Sequence, residues 1–61
     1  MEIKKIREQK GLRQEDIAQA LDLDRSTVAK WEAGEAMPRS DKLPKLAKIL
    51  GCKIDDFYGE V

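Results

Sequence analysis

The chain has 61 residues, with twelve Lys plus Arg, twelve Asp plus Glu, no His and one Cys. A chain this short buries only about 60% of its unfolded surface, so it holds one small core, and two-domain or dinucleotide-binding architectures are excluded. Charged residues at 39% and hydrophobic residues at 41% make a soluble, helical balance rather than a disordered one. Cys52 is alone, so no intrachain disulfide can form, and one Cys without His cannot build a Cys/His metal site. No metal and no cofactor are expected. A domain with no such staple relies on packed helices, on oligomerisation, or on both. No apolar run approaches the roughly 18 residues of a membrane span. The opening Met1-Glu2-Ile3-Lys4-Lys5 lacks the apolar stretch of a secretory signal, so a cytoplasmic location is expected.

In chain order, the punctuation predicts short helices, since no segment alternates apolar and polar residues as a strand would. Glu2 to Lys10 carries Ile3 and Ile6 on one face, and Gly11 follows as a left-handed cap. Gln14 to Leu21 carries Ile17, Ala18 and Leu21, and Asp22-Leu23-Asp24 is a tight break. Arg25 to Ala33 carries Val28, Trp31 and Glu32 on one face and ends at Gly34. A loop with Pro38 leads to Asp41 to Leu50, where Leu43, Leu46, Ala47 and Leu50 form the cleanest amphipathic stripe. Gly51 stops that helix, and Ile54, Phe57 and Tyr58 suggest a last helical turn. The whole of 1–61 reads as one domain, an all-α five-helix bundle.

The caps fit this division. Asp24 can accept from the free N–H groups opening the third helix, and Ser40 or Asp41 can do so for the fourth. Pro44 then falls in a first turn, where its missing N–H is no loss. Arg13 is a poor cap for the second helix, and Glu15 and Asp16 compensate in part through the helix dipole.

Residues 14–34 form a unit. Two short helices are joined by a turn of about three residues; Ala18 permits close approach, and Leu23 can plug the gap. This is helix-turn-helix spacing, in which the second helix enters the DNA major groove. The stretch Leu12-Arg13-Gln14-Glu15-Asp16-Ile17-Ala18, the run Asp24-Arg25-Ser26-Thr27-Val28, then Lys30-Trp31-Glu32-Ala33-Gly34 and Pro38 resemble the Xre family. These are the phage repressor and Cro-type helix-turn-helix regulators. The tail from Leu46 to Phe57 is also similar to that family's fourth and fifth helices. The resemblance implies a lambda-repressor-like DNA-binding fold.

On the third helix, Ser26, Lys30 and Ala33 lie opposite the inward face, and Arg25 stands at its start. Arg and Lys suit guanine O6 and N7, and Ser and Thr suit several bases. The resemblance implies base-reading roles for Arg25, Ser26 and Lys30, with Thr27 at phosphate. It also implies a phosphate contact for Gln14, where an amide and free N–H groups can grip an anion. Arg13 and Arg39 are further candidate phosphate contacts. The expectation at Arg13 is that a good cap has been given up for a phosphate-facing cation. The resemblance implies a shielded, structural ion pair between Arg7 and Glu32, and an unpaired buried carboxylate would be costly. Cys52 is read as core packing rather than as a reactive thiol; Trp31 is also mainly core. Phe57 and Tyr58 belong either to the core or to an oligomer surface.

Three positions depart from the family pattern. Asp22 stands where Gly is usual, Ala33 where a polar residue often precedes Gly34, and Glu35 where a cation is common. The last two imply a low affinity per subunit. Charge is also uneven along the chain. Residues 1–54 hold twelve basic and nine acidic side chains, and Asp55, Asp56 and Glu60 balance the excess. If the C-terminal turn lies away from the third helix, the molecule presents a positive side to DNA.

The function expected is that of a sequence-specific double-stranded DNA-binding regulator, a repressor in preference to an activator. It would act as a homodimer on a near-palindromic operator, because one small domain offers little contact area. The alternative is an antitoxin or adaptor module that uses the same fold to dock a protein partner. An enzyme is not expected: there is no His, no Ser or Cys nucleophile with a base, and no phosphate-cradling Gly loop.

Overall fold

The computed structural model describes residues 2–58. Their order is α1 (Ile3–Gln9), α2 (Gln14–Leu21), α3 (Arg25–Ala33) and α4 (Leu43–Leu50), followed by a 3-10 turn at Ile54–Tyr58. No strand occurs among the described residues, and none of the helices is long and apolar enough to cross a membrane.

Each apolar stripe is turned inward. Ile3 and Ile6 come from α1, Ile17, Ala18 and Leu21 from α2, and Val28 and Trp31 from α3. Leu46, Ala47 and Leu50 come from α4, and Phe57 closes the core. Leu12, Leu23, Leu43 and Cys52 pack against it from its margins. Ala18 lets α2 sit close under the turn, whose Leu23 N–H donates to the Ala18 carbonyl at 2.8 Å.

The expected five-helix bundle is corrected to four α-helices and one 3-10 turn. Only a few residues separate Gly51 from the fully buried Phe57. Within them, Asp56 N–H donates to the Lys53 carbonyl, while Asp56 Oδ2 accepts from Lys53 N–H, both at 3.0 Å. These i to i+3 links close a tight turn rather than an α-helix. Phe57 is core, whereas Tyr58 is exposed. The Phe57 carbonyl accepts from Glu2 N–H at 2.6 Å, binding the end of the fold to its beginning.

The fourth helix begins at Leu43 rather than Asp41, and neither Ser40 nor Asp41 caps it. Pro44 explains the shift. It has no N–H to give the Ser40 carbonyl, so the ladder starts with Leu46 N–H on the Lys42 carbonyl at 2.9 Å. Residues 39–42 form a separate turn, with Lys42 N–H on the Arg39 carbonyl. The first helix is likewise one residue shorter at each end than its pattern suggests. At its end Gly11 has φ +71°, and Leu12 N–H reaches back to the Arg7 carbonyl at 3.1 Å. That is the left-handed stop expected of this glycine.

Candidate nucleic-acid interface

The face of α3 that is not in the core is set by its 3.6-residue period. Val28 and Trp31 are buried, Glu32 is half-buried, and Arg25, Ser26, Lys30 and Ala33 are exposed. The helix starts from Asp24 in an extended conformation. The Asp24 carboxylate does not cap it as expected; the first link is Thr27 N–H on the Asp24 backbone carbonyl at 3.0 Å. The turn ahead of it holds Asp22 at φ +58°, the one non-glycine residue with positive φ among those described. A short Asp side chain tolerates that region better than most residues.

Glu32 is the junction of three helices. Its Oε2 accepts from Arg7 Nε at 2.7 Å, and its Oε1 accepts from Arg7 Nη2 at 3.1 Å and from Gln14 Nε2 at 2.9 Å. Arg7 Nη1 also donates to the Leu12 carbonyl at 2.9 Å. The two ionic side chains retain only 11% and 4% of their exposure. Desolvation pushes the Glu32 carboxyl up, but hydrogen bonds from Arg7 and Gln14, with the Arg7 charge, outweigh it and hold the group below the usual carboxylate range. The bond to Glu32 raises the Arg7 guanidinium still further.

The family resemblance implies a phosphate contact for the Gln14 amide. One of its two amide hydrogens is instead committed to Glu32, which leaves the second for an outside acceptor. Beside it Arg13 occupies the cap position of α2. Asp16 Oδ2 accepts from Arg13 N–H at 2.8 Å, half of a reciprocal cap. The other half is missing, because a guanidinium has no acceptor for the Asp16 N–H. The Arg13 side chain is exposed and lies 3.6 Å from both Glu15 and Asp16.

Two hollows flank α3. On one side a hollow of about 310 Å³ is lined by Arg7, Arg13, Gln14, Glu15 and Arg25. On the other, a groove of about 460 Å³ brings Thr27 together with Arg39, Lys42 and the acidic Asp41, over Leu23 and Trp31, with exposed Met37 at its edge. Lys42 is not singled out by the sequence. Its only signal there is its position near Arg39, and within the expected span of α4 it reads as a surface lysine. Buried Pro38 holds the loop that presents Arg39.

Asp55 and Asp56 lie in the 3-10 turn, which packs on α4; Glu60 lies outside the described residues. Cys52 is half-buried. Burial, and then Asp56, push its thiol up, with Lys10 opposing. A protonated, packed thiol is a poor nucleophile.

Comparison with known proteins agrees with this architecture. A family model described as helix-turn-helix matches residues 3–57. The chain is 32% identical over 54 residues to the HTH-type transcriptional activator BcrR of Enterococcus faecalis, covering 88% of this chain and 26% of that protein. It is 44% identical over 47 residues to the 26 kDa repressor protein of Escherichia phage HK022, covering 77% of this chain and 20% of that protein. It thus spans about a quarter or less of the length of these relatives. No solved structure matches it at a significant level. With the family model covering nearly the whole chain, this protein belongs to the helix-turn-helix family of the Xre type.

Proposed function

We propose that the chain is a sequence-specific regulator of transcription that binds double-stranded DNA with α3 in the major groove. The observation that carries this reading is the division of α3 into two faces. Val28, Trp31 and Glu32 fix it to the body, while Arg25, Ser26 and Lys30 stand outward with no carboxylate partner among the described residues. Cations on both flanks suit the phosphates that border a groove. Arg25, Ser26 and Lys30 read base edges. Arg13, Gln14, Thr27 and Arg39, now joined by Lys42, hold the backbone. Arg7 and Glu32 keep α3 at its angle.

The working unit is a homodimer on a near-palindromic operator, with recognition helices about 34 Å apart. If the dimer neutralises roughly eight phosphates, log affinity falls against log salt with a slope near −7. Repression is the reading favoured, because it requires only that a promoter be occupied. It is also the role that the name of the phage relative carries.

Selection of bound sequences from a random duplex pool tests this, with Arg25→Ala and Lys30→Ala run in parallel. An enriched palindrome with half-site centres about ten base pairs apart, altered by either substitution, supports it. No enrichment at low salt, where even non-specific binding is strong, overturns it. One observation favours a protein-docking module as the second reading: Met37 is 63% exposed, beside the Leu23 and Trp31 edge of the groove.

A further inference from the structure

We infer that each half-site carries two guanines on opposite strands, two base pairs apart, one read by Arg25 and the other by Lys30. The inference rests on the DNA-binding reading above. Arg7 and Arg13 are engaged with carboxylates, whereas Arg25 and Lys30 are exposed and meet none among the described residues. Their donors are therefore open to an outside acceptor.

The spacing gives the rest. Five positions along an α-helix correspond to about 7.5 Å of rise and a rotation of about 140°. That rise is about two base-pair steps of roughly 3.4 Å each. The rotation sets the two cations on opposite flanks of the outward face rather than in one row. The flanks are identifiable. Arg25 opens on the hollow shared with Arg13 and Gln14. Thr27, which neighbours Lys30 one turn along the helix, opens on the groove with Arg39 and Lys42. In a major groove about 12 Å wide, one flank faces one strand and the other flank its complement.

Guanine is the base that fits both cations. It presents two acceptors, O6 and N7, whereas adenine and cytosine turn an amine toward the groove and thymine offers one acceptor beside its methyl. Ser26, exposed one position after Arg25, lies on the arc of the outward face between the two cations. Its hydroxyl both donates and accepts, so it favours no single base, and no other exposed outward side chain fixes the pair between the two guanines. Each half-site then contains a G·C and a C·G pair around a variable pair, G-N-C or C-N-G on one strand.

The test is methylation interference with dimethyl sulfate, which blocks guanine N7, on the duplex selected by the wild-type protein. Circular dichroism would first establish that the Arg25→Ala and Lys30→Ala proteins are folded. The expected result is two interfering guanines per half-site, on opposite strands and separated by one base pair. Arg25→Ala abolishes the sensitivity at one guanine only, and Lys30→Ala at the other only. Replacing either guanine with 7-deazaguanine weakens wild-type binding by roughly tenfold. Interfering guanines on one strand, or guanines indifferent to both substitutions, would overturn the inference while leaving DNA binding intact. Failure to select any duplex would overturn both.

Discussion

Gln14 at the start of α2 donates to Glu32 near the end of α3 at 2.9 Å. The same carboxylate oxygen accepts from Arg7. One carboxylate thereby ties the helix proposed to meet the phosphate backbone to the helix proposed to meet the bases.

Loss of one partner strands the other. Arg7→Leu should lower stability by about 3 kcal/mol, because Glu32 is then left shielded and without its cation. Urea unfolding, with an unchanged slope and a lower midpoint, would show it. A wild-type midpoint would mean that the pair contributes nothing.

The same carboxylate predicts an acid response. Its folded pKa is depressed below the ordinary 4.5, so its contribution to stability is complete above that pH. It is lost as pH falls from about 4.5 through the lower folded value. Stability measured from pH 7 to pH 2 should decline more steeply for the wild type than for Glu32→Gln in that window. Parallel curves would refute the assignment.

Arg13→Thr should complete the reciprocal cap with Asp16 and raise stability by about 1 kcal/mol. For a domain of this size that is a Tm increase of roughly 4–8 °C. DNA affinity should fall at the same time, because the cation proposed to face a phosphate is gone. A more stable variant that binds as well as the wild type would show that Arg13 does not touch DNA.

Lys42→Ala leaves α4 with its core stripe and should weaken binding to all duplexes alike. The salt-dependence slope should become shallower by about 1 for each phosphate no longer neutralised. A change in sequence preference without a change in slope would place Lys42 at a base instead.

Asp22→Gly should stabilise the turn by about 1 kcal/mol, since Gly adopts the left-handed conformation without strain. Asp22→Val should do the reverse, because a β-branched residue resists positive φ. Equal Tm values for the three proteins would contradict the role given to the turn.

Much of this fold is legible in the sequence because period and punctuation agree. The boundaries of α2 and α3 follow from Asp22, Gly34 and the apolar stripes between them. The start of α4 is not legible, because Ser40 and Asp41 look like caps while the missing donor of Pro44 acts upstream of itself. The last element reads as a helix because Phe57 and Tyr58 follow Ile54 at helical spacing. Spacing alone does not separate an α from a 3-10 turn when so few residues remain. The candidate site is legible as residue types on one outward face. What the sequence does not reveal is tertiary: Gln14 bound to Glu32, and Lys42 in a groove with Thr27 and Arg39.

Glu2 N–H meets the Phe57 carbonyl at 2.6 Å, so the folded domain is nearly a closed ring. A ring has no preferred place to be cut. Joining residues 2 and 58 through a short flexible linker and reopening the chain at exposed Glu35, ahead of buried Pro38 and the 39–42 turn, is expected to leave the helices in place. A permuted chain that folds to the same four helices would show that their order along the sequence is not a requirement of the architecture.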